Sequence, residues 1–101
     1  MRLQIGKTLI MAAGTGYAVQ IPRGTVAFKL RCRDGTAFVV ATSQHEAAEG
    51  TERVWSVQLN DEFEERGIQI TEPTTIFVAG TAGKTIESLF WIEEVEVPHV
   101  A

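Results

Sequence analysis

Hydrophobic and polar residues alternate with period two along much of the chain, and the 3.6-residue repeat of an amphipathic helix is almost absent. Residues 25–33 carry the pattern most clearly. Val26, Phe28, Leu30 and Cys32 take one side while Lys29, Arg31 and Arg33 take the other, as in an antiparallel strand buried on one face. Asp34-Gly35 follows, a pair that readily adopts the positive φ angles of a tight hairpin, so residues 37–41 are predicted to return as the next strand. Residues 75–79 and 85–92, rich in β-branched and aromatic side chains, read as a second hairpin around Gly80-Thr81-Ala82-Gly83.

The remaining segments fit the same scheme. Residues 8–12 and 17–21 form two short strands split by Gly14-Thr15-Gly16. Trp55, Val57 and Leu59 alternate with Val54, Ser56 and Gln58, and Phe63, Ile68 and Ile70 surround a bend at Gly67. Val95 and Val97 alternate with Glu94 and Glu96 as a last strand before Pro98. Residues 43–52 are polar and read as the longest loop, with room for one helical turn. About eight strands spaced about 12 residues apart predict an all-β chain, a single antiparallel β-sandwich or jelly-roll-like domain over residues 1–101.

Composition narrows this picture. With 101 residues, 45% hydrophobic and 22% charged, the chain is too apolar for a disordered tail and has room for one ordered domain. One cysteine cannot build a disulfide framework, so the fold must rest on its core. At this size roughly 65% of the unfolded surface can be buried, a thin core that a partner would supplement. Cys32 lies among alternating hydrophobes and reads as a buried, inert thiol suited to a reducing cytoplasm. No apolar run approaches the ~20 residues of a membrane helix. Arg2 and Lys7 ahead of Leu9-Ile10-Met11-Ala12-Ala13 imitate a signal peptide only faintly, the apolar stretch being too short, and the expectation is a soluble chain without a membrane partner.

The net charge of −4 conceals a division. Residues 1–33 hold six bases and no acid, whereas the other 68 hold 13 acids and 3 bases. Lys29, Arg31 and Arg33 on one strand face, with Arg23 nearby, are the candidate partner-binding residues. Such a stripe could meet phosphates, but the acidity of the rest of the chain opposes nucleic acid. An acidic protein surface, including the acid-rich part of an identical chain, also explains the division, and a solvated strand face without a partner is the third reading.

Motifs that resemble chemistry have structural explanations. Gly80-Thr81-Ala82-Gly83-Lys84-Thr85 ends like a phosphate-binding loop, but position 78 is Val and a strand follows instead of a helix. Gly14-Thr15-Gly16 lacks a third glycine and a βαβ setting. His45 and His99 have no metal-ligand spacing, the acid pairs Glu64-Glu65 and Glu93-Glu94 would point to opposite strand faces, and no serine sits in a nucleophile elbow. Catalytic residues, metal and cofactor are therefore expected to be absent.

Ile21-Pro22-Arg23-Gly24-Thr25 leading into residues 26–33, then Phe63-Glu64-Glu65-Arg66-Gly67-Ile68, then Thr75-Ile76-Phe77-Val78 and residues 81–87 continuing to Phe90-Trp91, resemble small β-sandwich virion proteins of tailed bacteriophages. The resemblance covers residues 17–92 and is carried by a Pro-Gly strand start, a Glu-Glu-x-Gly turn and a Thr-Ala-Gly turn. It implies a non-enzymatic structural protein that decorates or cements a capsid or sits as a head or tail accessory. Its implied partners are the major capsid or another virion structural protein and further copies of itself, a symmetric trimer being one such arrangement. The implied location is the virion, after synthesis in the host cytoplasm.

A carbohydrate-binding β-sandwich is the alternative from another class. It would need an aromatic ring presented flat to a sugar. Trp55 and Trp91 fall in strand patterns that point to the core, so Tyr17, beside Gly16, is the candidate exposed aromatic contact. An enzyme would have to draw on His45 and Glu46, and only a cleft joining them to another polar group would support it.

Overall fold

The computed structural model describes residues 1–49 and 54–93. Eight strands and one short helix follow in order: β1 Arg2–Leu9, β2 Tyr17–Ile21, β3 Thr25–Cys32, β4 Phe38–Ala41, α1 Gln44–Glu49, β5 Trp55–Val57, β6 Phe63–Arg66, β7 Thr74–Gly80 and β8 Thr85–Ile92. They make two four-stranded antiparallel sheets, β1-β8-β3-β6 and β2-β7-β4-β5, packed face to face as a β-sandwich. The expected last strand at 95–97, and His99, lie outside the described residues.

The pairings β1 with β8, β2 with β7, β3 with β6 and β4 with β5 describe one long antiparallel ribbon doubled on itself. Rolling the ribbon up adds β3 with β8 and β4 with β7, which is the winding of a jelly roll. Every connection except β4 to β5 therefore crosses from one sheet to the other. This corrects both expected hairpins. Asp34-Gly35 and Gly80-Thr81-Ala82-Gly83 do reverse the chain, but β3 and β4 belong to different sheets, as do β7 and β8. Turn chemistry sets the local reversal, whereas the choice of sheet is set by partners distant in sequence.

Alternation places most of the core where the sequence pattern predicts; Val26 is the exception, because a register shift between Thr25 and Ala27 leaves it half-buried and buries Thr25. Phe28, Leu30 and Cys32 of β3 and Ile86, Phe90 and Ile92 of β8 point inward from the first sheet. Val19 and Ile21, Phe38 and Val40, Val57 and Val78 meet them from the second. Each such side chain contributes about 1.5–3 kcal/mol by leaving water. Phe28 anchors the layer, its ring centroid 5.8 Å from that of Phe63 and 6.2 Å from that of Phe90. Ile10 closes one end of the sandwich: it is fully buried, its N–H donates to the Lys84 carbonyl at 2.9 Å and its carbonyl accepts from Gly83 N–H at 2.7 Å.

The polar stretch after β4, predicted as a loop with room for one helical turn, forms α1. Ser43 Oγ caps it by accepting from Glu46 N–H at 3.2 Å. The helix lies over the outer face of the second sheet, where Ala47 packs with Ala41 and Ala79. Gly16 seats it. A Cβ at position 16 would stand 2.7 Å from the Gln44 carbonyl oxygen, and the Gln44 side chain donates from Nε2 to the Gly16 carbonyl at 3.1 Å.

Candidate functional site

The strand β1 is inside out. Its Gln4, Gly6 and Thr8 stand opposite Phe90, Ser88 and Ile86, the buried positions of β8, so the polar and small residues of β1 look toward the core. Its odd-numbered positions Leu3, Ile5, Lys7 and Leu9 face outward. Leu3, Ile5 and Leu9 remain 50%, 62% and 52% exposed. Opposite them on the same outer face lie Trp91 against Leu3 and Leu89 against Ile5, both half-buried, with Ala27 of β3 continuing the Leu3–Trp91 row. An amphipathic edge strand ordinarily turns its apolar side inward, because a one-residue change of register exchanges the two faces. Here the interior is served by the other strands, and the apolar side of β1 faces solvent. α1 covers the outer face of the second sheet, whereas no described element lies over that of the first.

The other half of this outer face is charged. Lys29, Arg31 and Arg33 project from it together, as the sequence pattern predicts, and each meets an acid from its own sheet. Lys29 Nζ is 3.0 Å from Glu62 Oε2 and 3.9 Å from Glu64 Oε2. Arg31 Nε is 3.4 Å from one Glu87 oxygen, Arg33 Nε is 3.8 Å from the other, and Arg66 pairs with Glu64. Surface pairs of this kind, here with Lys29 and Glu87 partly covered, contribute about 0–1 kcal/mol each. Their larger effect is to cancel the field of the basic stripe, so the stripe is less open to an acidic partner than its sequence suggests. Arg23 is not part of it. It lies at the opposite end of β3, exposed beside Gly24, and forms no ion pair among the described residues.

The aromatic expectations require correction. Tyr17 is half-buried against the main core, and its hydroxyl oxygen accepts the Ala12 N–H at 2.8 Å, so it is not the exposed ring. Trp55, expected in the core, is 65% exposed. It stands edge-on to Phe63, ring centroids 6.0 Å apart, at the rim of an apolar cavity of about 370 Å³ that reaches Phe28, Val40 and Ile76. Trp91 is half-buried on the outer face beside Leu3.

At one end of the sandwich Asp34 gathers donors. Its Oδ1 accepts from Thr36 Oγ1 at 2.7 Å, Thr36 N–H at 3.1 Å and the Cys32 thiol at 3.2 Å, and its Oδ2 takes Lys84. Lys84 first, then Thr36, hold the carboxyl well below the usual carboxylate range. Burial and the carboxylate beside it push the Cys32 thiol up, away from a reactive thiolate. His45 and Glu46 are adjacent on α1. Among the described residues no three His, Cys, Asp or Glu side chains are placed to hold a metal, and no helix is long and apolar enough to cross a membrane. Comparison with family models, with curated proteins and with solved structures finds no match.

Proposed function

We propose that this chain is a non-enzymatic structural protein of a bacteriophage particle, one that joins a capsid, neck or tail protein and copies of itself. The observation that carries the reading is the inverted strand β1, a row of outward apolar side chains continued across the sheet by Leu89 and Trp91. Contiguous exposed apolar surface of this kind marks a place where another surface docks. Jelly rolls serve widely in viral shells, a support by analogy that agrees with the resemblance in residues 17–92. The charged half of the face, already balanced within the sheet, would set the orientation of a partner more than its affinity.

The test is made on particles of the phage whose genome encodes the chain, banded in a density gradient. The chain should band with the particles, and Leu3→Ser together with Ile5→Ser should lower its occupancy while leaving it folded by circular dichroism. Its presence in the lysate and absence from banded particles would overturn the reading. A carbohydrate-binding role has one observation in its favour, the exposed ring of Trp55. Glycan binding followed by tryptophan fluorescence, and lost in Trp55→Ala, would shift the assignment to that reading.

A further inference from the structure

We propose that copies of the chain associate head to tail through the first sheet, the β1 edge of one copy laid against the β6 edge of the next. This names the contact behind the self-association in the proposed function and rests on that reading. The two edges of the sheet differ in charge. β1 contains Arg2 and Lys7 and no acid, and the chain at the other edge contains Asp61, Glu62, Glu64 and Glu65 against Arg66 alone. Glu62 and Glu64 are engaged by Lys29 and Arg66, which leaves Asp61 and Glu65 without an ion pair among the described residues, as is Lys7 on β1.

Strand direction favours the same arrangement. β1 runs antiparallel to β8, β8 to β3 and β3 to β6, so β6 runs opposite to β1. A copy displaced sideways by the width of the sheet, roughly 19 Å for four strands, brings its β1 beside β6 in antiparallel sense. The up-and-down alternation then continues unbroken, with the outer faces of both copies on the same side. Symmetric contacts lack this match. Joining β1 to β1 brings bases together, and joining β6 to β6 brings acids together, and like charges directly opposite each other destabilise a strand pair. Acids on an edge normally guard it against a second strand. Here the acids that guard β6 against another β6 are suited to receive β1.

The ladder available is short, four residues on the β6 side, so the contact falls below the roughly 800 Å² per partner of a standard interface and should be weak in dilute solution. Being heterologous, it propagates to a ring or an open filament instead of stopping at two copies. Sedimentation velocity of the full chain over a wide concentration range, at low and high ionic strength, tests it. Wild type should form species beyond the dimer at low salt that dissociate as salt rises. Lys7 stands on the outer face and Glu65, opposite Phe28, on the inner one, so they act through the charge of their edges and not as a direct pair. Lys7→Glu and Glu65→Lys should each weaken association about tenfold, and an equimolar mixture of the two variants should recover dimers but not longer species, because Glu65→Lys keeps the basic β1 edge and Lys7→Glu keeps the acidic β6 edge. A chain that stays monomeric at every concentration would overturn the proposal, as would association unaffected by Glu65→Lys. A monomeric chain that still bands with particles would leave the proposed function standing without this contact. Head-to-tail association by a chain absent from particles would do the reverse.

Discussion

Asp34 and Lys84 join the two corners at one end of the sandwich, the carboxylate after β3 taking the ammonium that precedes β8. These corners are the two reversals that a local reading takes for hairpins, and the pair binds one crossing between the sheets to the other. Because the folded carboxyl releases its proton more readily than the unfolded one, the stability it contributes is complete above about pH 5 and drains away as the pH falls below the usual carboxylate range. Asp34→Asn should lower the melting temperature at neutral pH, and the gap from wild type should close toward pH 2. A gap independent of pH would show that the carboxylate's charge is not what matters.

The thiol of Cys32 reports on the same corner. Buried and donating to Asp34, it should react with a thiol-specific reagent only as the protein unfolds, so its modification rate should track denaturant concentration. Fast reaction in native buffer would contradict its placement.

Gly16 touches the backbone of α1 too closely for any side chain. Gly16→Ala should displace the helix and cost about 1–3 kcal/mol in chemical denaturation, with the loss of helical signal preceding that of the sheets. Gly14→Ala meets open space, so its cost should come from the left-handed backbone alone, about 1–2 kcal/mol.

Two isoleucines of the first sheet separate folding from docking. Ile86 is fully buried, and Ile86→Ala should cost about 2–5 kcal/mol. Ile5 is 62% exposed, and Ile5→Ala should change stability by no more than about 0.5 kcal/mol. A large loss at Ile5 in the isolated chain would mean that the outer row already supports the fold.

The β-sandwich is legible from β3 and β8, whose alternation assigns each side chain to a face, and the described strands number eight as the spacing predicts. The sheet assignment is not, because Asp34-Gly35 makes the same reversal whether the next strand pairs with β3 or crosses the core. The neutralised stripe was hidden for a related reason: Glu62, Glu64 and Glu87 reach Lys29, Arg31 and Arg33 only through the pairing of β3 with β6 and β8. Leu3, Ile5 and Leu9 do carry the period-two signal of β1. The strand expected at residues 8–12 shares only Thr8 and Leu9 with β1, which begins at Arg2, and nothing local indicates which face of an edge strand will be buried. For Trp55 the alternation with Val57 suggested the core, but a three-residue edge strand leaves the ring at the rim.

The ribbon also sets an order of events during synthesis. Arg2 finds its partner in Ile92, ninety positions later, so β1 has no strand to pair with until β8 has been made. A strand that emerges first and is secured last spends longer unpaired than any other in the chain, and here it is the one with the most exposed apolar side chains. Non-local pairing of this kind is slow and leaves the waiting strand open to wrong partners. The feature that suits β1 to docking therefore also makes it the part of the nascent chain most in need of protection.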